Sequence, residues 1–177
     1  MNVILYQPRD IEEPREIVDS IRARRGGTLL NLDRMLLHSP PLAGGWNSLL
    51  RAVRSELEVA PRLRELAICA VAILNGADYE YRQHSPLFLK AGGTASQLDA
   101  LTGIREAGAD ASVFDTRECA VIELTVEMTQ TVRVESATLA AVQAALENDR
   151  QVVEIVAVIA AYNMVSRFLV ALGVEPE

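Results

Sequence analysis

An all-α fold is predicted by three features of this 177-residue chain. Half of its residues are hydrophobic, mostly Ala, Leu, Val and Ile, and only 5% are aromatic, a composition that suits packed helices better than sandwich strands. Apolar residues recur at three- and four-residue spacing in segment after segment. Proline, glycine and capping residues fall where such segments would start and stop. The length suits one domain, residues 1–177, whose core buries roughly 70% of the unfolded chain's surface.

Residues 1–13 read as an extended arm. Pro14 fits the first turn of a helix on which Ile17, Val18 and Ile21 share a face. Arg24-Arg25 place cations at its end, and Gly26-Gly27 lie just past it. A short helix follows over about 28–38, stopped by Ser39-Pro40-Pro41. Trp46, Leu49, Leu50, Val53 and Leu57 make the stripe of a helix over about 42–58. Pro61 opens a strongly apolar helix to about residue 75, where Asn75-Gly76 breaks it. Asp78 is placed to cap the next helix, about 79–91, which Gly92-Gly93 end. Residues 61–93 therefore form a helical hairpin. Pro86 lies inside its second arm and removes the bond to the carbonyl of Arg82, so a kink is expected just after His84.

Thr94-x-x-Gln97 is a capping box for a helix to about residue 101. Residues 103–114 read as loop. Asp115-x-x-Glu118 caps a helix to about residue 130, Ser136 starts one to about 147, and a last helix over about 149–172 stops at Gly173. Val132-Arg133-Val134 is the best short strand candidate. The longest apolar run, Val152 to Val170, is interrupted by Glu154, Asn163 and Arg167, and so reads as a buried core helix and not a membrane span.

The formal net charge is −7 and the sequence pI about 4.9, the opposite of a nucleic-acid binder's balance. Cys69 and Cys119, the two cysteines, are far apart and form no C-x-x-C pair; they read as two buried thiols of a cytoplasmic protein. The N-terminus turns polar too soon for a signal peptide. There is no dinucleotide fingerprint, Walker loop or G-x-S-x-G elbow. His38 and His84 do not form an H-x-x-x-H pair, so neither a metal nor a cofactor is expected.

Chemistry concentrates between residues 64 and 84. Glu80 and His84 are four apart, on one face of a helix. A carboxylate beside an imidazole is acid/base equipment, and the flanking Ala77, Leu87, Phe88 and Ala91 suggest partial burial that would tune both groups. Glu65 stands on a helix with no other charge from Leu66 to Leu74. It serves either an ion pair with Arg62 or Arg64, or the site. His84, Glu80 and Glu65 are the candidate catalytic residues. Tyr81, Trp46 and Tyr79 are the candidate substrate-binding residues, with core packing as the alternative for each.

Leu63-Arg64-Glu65-Leu66, then Tyr79-Glu80-Tyr81-x-x-His84, then Ala91-Gly92-Gly93 resemble the carboxymuconolactone decarboxylase family, part of the alkylhydroperoxidase D-like superfamily. Tyr81 stands where the family pattern usually has Trp. The flanks Leu36-Leu37-His38-Ser39-Pro40, Gly45-Trp46 and Tyr162-Asn163-Met164-Val165-x-Arg167-Phe168 agree as well. In the peroxidase branch the pattern is a glutamate, a C-x-x-C pair and a histidine. Aligning His84 puts Ala77 and Glu80 on the two cysteine positions and Glu65 on the glutamate. The dithiol chemistry is therefore not carried over, and the decarboxylase branch is the nearer likeness. The resemblance implies an alkylhydroperoxidase D-like helical bundle assembled as a homo-oligomer, trimer or hexamer.

The function expected is a carboxymuconolactone decarboxylase-like lyase or isomerase. It would move protons, without a cofactor, on a small carboxylated or enolisable substrate. His84 would shuttle the proton, Glu80 would orient it or share the proton, and Glu65 would serve as a second acid or polar wall. Two alternatives stand beside it: a peroxidase-like redox protein using Cys69, and a non-catalytic oligomeric binding protein. No nucleic acid or membrane is an expected partner.

Overall fold

The computed structural model describes residues 4–177, except the side chains of Glu106 and Ala107. The start of the expected N-terminal arm, residues 1–3, lies outside the described residues. Ten helices follow among them: α1 (Arg15–Arg25), α2 (Asn31–Leu36), α3 (Pro40–Ser55), α4 (Pro61–Asn75), α5 (Asp78–Lys90), α6 (Ala95–Leu101), α7 (Ile104–Ala107), α8 (Thr116–Gln130), α9 (Ser136–Ala145) and α10 (Asp149–Leu172). No strand occurs among the described residues. The strand candidate at 132–134 fails because Val132, just past α8, takes a left-handed φ of 68°, which a strand does not tolerate.

The chain separates into two compact units, one of residues 1–56 with 169–177, the other of residues 57–168. In the first unit, Pro40 and Pro41 both end α2 and open α3, since proline at the first helical position costs no backbone bond. Buried Asp33 gathers Arg24 and Arg25 at 3.5 and 3.1 Å and accepts the Leu30 N–H. Arg22 donates to the carbonyls of Arg9 and Ile11, tying down the irregular arm. Trp46 is buried on α3. His38 bonds the Leu5 carbonyl at 2.8 Å and Gln7 at 3.2 Å.

The second unit holds α4 to α9 and most of α10. Its core groups Leu66, Cys69, Phe88, Leu101 and Ile122, with Tyr81 packed against them. Gly76 at φ 63° ends α4 and lets α5 begin two residues later. The expected cap, Asp78, is instead the first helical residue, with Ala77 at the cap position. Helix α5 runs through Pro86 without a break. Both expected capping boxes form: Thr94 accepts from Gln97 N at 3.2 Å, and Asp115 from Glu118 N at 2.9 Å. The expected 103–114 loop contains the short helix α7, because buried Ile104 anchors one turn in the core.

By length and composition α10 is the one described helix able to cross a membrane. Its polar groups, however, are used inside the unit. Glu154 accepts the backbone N–H groups of Glu58 and Val59 at 2.7 and 2.8 Å, and Asn163 donates to Thr129 at 2.9 Å. These bonds fit a core helix.

Candidate active site

Three helices of the second unit meet around His84. Helix α4 brings Glu65 and, one turn later, Cys69. Helix α5 brings Glu80 and, one turn later, His84. Helix α10 brings Tyr162 and, one turn later, Ser166. All six are buried, with Cys69, Tyr162 and Ser166 fully so. Polar side chains are rarely held this deep unless bonded, and Glu65, His84 and Tyr162, and Glu80 and Ser166, are bonded within the cluster.

Glu65 is the hinge of the arrangement. Its Oε2 lies 2.7 Å from His84 Nδ1, and its Oε1 accepts from Arg64 Nε at 3.2 Å. Glu65 therefore makes the expected Arg64 ion pair and, with its other oxygen, meets His84. Arg62, the other candidate, pairs with Glu118 at 2.7 Å. Burial pushes the Glu65 carboxyl up. The His84 hydrogen bond and charge, with Arg64 behind them, outweigh that and leave it below its ordinary value. Glu65 is thus held as a carboxylate against the imidazole.

On the far side of the ring, the Tyr162 hydroxyl lies 3.2 Å from His84 Nε2, and the two rings meet edge to face at 4.9 Å. One turn along each helix, Ser166 Oγ donates to Glu80 Oε1 at 2.9 Å. Residues 84 and 80 on α5 thus face 162 and 166 on α10, two rungs of an antiparallel pair. Cys69 lies among these groups. Burial first, then the Glu65 and Glu80 carboxylates, push its thiol well up, the reverse of what a reactive thiol needs.

The three expected catalytic residues, Glu65, Glu80 and His84, are brought into one buried cluster. The expected substrate-binding residues are dispersed. Tyr79 is buried beside Glu80 in sequence, Tyr81 is half-buried against the Cys69–Leu101 core, and Trp46 belongs to the first unit. Sequence reasoning assigned no site role to Tyr162 or Ser166. The signal was available, since hydroxyls four apart in an otherwise apolar run share a face just as Glu80 and His84 do.

The carboxymuconolactone decarboxylase family profile matches residues 40–121, the segment that carries Glu65, Cys69, Glu80 and His84. Over that segment, a little under half of the chain, the sequence is similar to the carboxymuconolactone decarboxylase family. Solved structures share the fold along nearly the whole chain. A peroxidase-related protein of uncharacterised function from Silicibacter sp. TM1040 is 18% identical with a TM-score of 0.79, over 98% of this chain and 91% of that one. An alkylhydroperoxidase AhpD core protein from Ralstonia eutropha JMP134 is 16% identical with a TM-score of 0.76, over 94% and 86%. The debrominase Bmp8, solved as a cysteine-to-alanine variant with 2,3,4-tribromopyrrole, is 14% identical with a TM-score of 0.78, over 100% and 93%. No curated protein matches the chain significantly in sequence. Tyr162 and Ser166 lie outside the segment that the family profile matches.

Proposed function

We propose that this protein is an acid/base enzyme of the decarboxylase-like branch, a lyase or isomerase acting on a small carboxylated or enolisable substrate. The observation that carries the reading is the buried 2.7 Å bond between Glu65 and His84 Nδ1. A carboxylate on one ring nitrogen orients the imidazole and stabilises its charged form, which leaves the other nitrogen to exchange a proton. Glu80, held by Ser166, is the second carboxyl of the site. Arg64, bonded to Glu65 at the edge of the cluster, is a cation suited to a substrate carboxylate. Every proton transfer is assigned to side chains, and the working form is a homo-oligomer.

The thiol-peroxidase alternative is disfavoured on two counts. Ala77 and Glu80 stand at the positions the peroxidase pattern gives to cysteine, and Cys69 is buried beside two carboxylates.

The test is turnover by the full chain of a panel of small carboxylated lactones and enols, followed by ultraviolet absorbance and by release of carbon dioxide. On a responsive substrate, His84→Ala is expected to cut kcat by roughly 10²–10⁴-fold. Adding Glu65→Gln should then cost little more, because the two act as one unit. An active protein whose turnover is unchanged by His84→Ala would overturn the proposal.

A further inference from the structure

We propose that Tyr162 is a positioning residue for His84, and that it marks Nε2 as the nitrogen that gives and takes the proton. This rests on the acid/base reading of the same cluster and adds the atom at which that chemistry occurs. The argument is geometric. Nδ1 faces a carboxylate held below its ordinary pKa, which accepts and has no proton to donate. Nδ1 therefore keeps its hydrogen whether the ring is neutral or charged. The titrating nitrogen is then Nε2, whose lone pair points at the Tyr162 hydroxyl, 3.2 Å away. A phenol suits that place because it donates to the neutral nitrogen and accepts from the protonated one. Carboxylate partners on both nitrogens would hold the ring charged; an apolar partner would leave a buried nitrogen unsatisfied.

The packing around Tyr162 supports a positioning role. Its ring is fully buried and meets the imidazole edge to face at 84°, so ring and hydroxyl together restrict rotation of His84. The neighbouring Ser166–Glu80 rung fixes the register of α10 against α5, setting the height at which the phenol meets the imidazole. The titratable groups around the ring are Glu65, with Arg64 and Cys69 beside it, from α4, Glu80 from α5 itself, and Tyr162 from α10.

The experiment is ¹⁵N spectroscopy of the full chain labelled in histidine, followed across the pH range in which it stays folded. His84 is assigned by His84→Ala, and Tyr162→Phe is compared with the parent. The expected result has three parts: Nδ1 is protonated in every spectrum, Nε2 is unprotonated in at least part of the range, and Tyr162→Phe moves the Nε2 resonance downfield, towards a nitrogen without a hydrogen bond. Where Tyr162→Phe does not fold, 3-fluorotyrosine replaces it. That stronger phenol donor is expected to move Nε2 upfield. An unprotonated Nδ1 at any pH, an Nε2 protonated throughout, or an Nε2 resonance indifferent to the phenol would each overturn the assignment. Turnover is not part of this readout. Failure of the substrate panel with the expected spectra therefore rejects the enzyme reading alone, and the reverse pattern rejects only the role of Tyr162.

Discussion

At the residue scale, the decisive feature is a buried carboxylate with both oxygens committed. Glu65 binds a proton less readily in the folded chain than in the unfolded one, because His84 and Arg64 favour the carboxylate over the penalty of burial. Its contribution to stability is therefore complete above the ordinary value of 4.5 and is lost as the pH falls from there through the lower folded value. Denaturant melts of Glu65→Gln and the parent should differ most near neutrality and converge in acid. A gap that stayed constant with pH would contradict the assigned charge state. Cys69 makes the opposite case. Its thiol is pushed up by burial and by two carboxylates, so a maleimide or disulfide probe at neutral pH should label the folded protein far more slowly than the unfolded chain. Stoichiometric labelling within the mixing time, together with peroxide consumption, would restore the redox alternative.

At the scale of elements, the site depends on where α4 and α5 end. Gly93 closes the hairpin. A Cβ built there would lie well inside contact distance of the ring of Phe88, which is fully buried near the end of α5, five residues earlier. Gly93→Ala is expected to cost about 1–3 kcal/mol by overpacking, read as a lower midpoint in urea at unchanged slope. The same substitution at Gly45, whose Cβ would meet nothing within 4 Å, is the control. At the start of α8, Asp115 is part of a complete capping box. Asp115→Ala should cost roughly 0.5–2 kcal/mol, the usual worth of an N-cap, read as a lower midpoint in urea.

At the scale of the whole molecule, several large apolar side chains remain exposed on the helices of the second unit, among them Leu87 and Leu89 on α5 and Val153 and Met164 on α10. The homo-oligomer expected from the family likeness would make use of them. Light scattering at micromolar concentration is expected to give a multiple of the 19.3 kDa chain mass. A monomer mass would remove the oligomer while leaving the fold untouched.

Much of this protein was legible in its residues taken in order. Pro61, Gly76, Thr94, Asp115 and Gly173 punctuate the helices through backbone chemistry that acts within a few residues, and so needs no tertiary information. Glu65, Glu80 and His84 stood out because charge in an apolar helix demands a partner. Neighbouring packing overruled a local rule where buried Ile104 folds a turn into an expected loop, and a local rule was applied only halfway where Pro40 and Pro41 open α3 as well as closing α2. Only the tertiary structure decided who partners whom. Glu65 meets His84 across 19 residues of sequence, and Tyr162 meets it across 78. Helical periodicity states which face a residue occupies but not which helix will cover that face. That choice belongs to the packing of α4, α5 and α10, where a hydroxyl on one apolar helix satisfies an imidazole on another because neither can reach water.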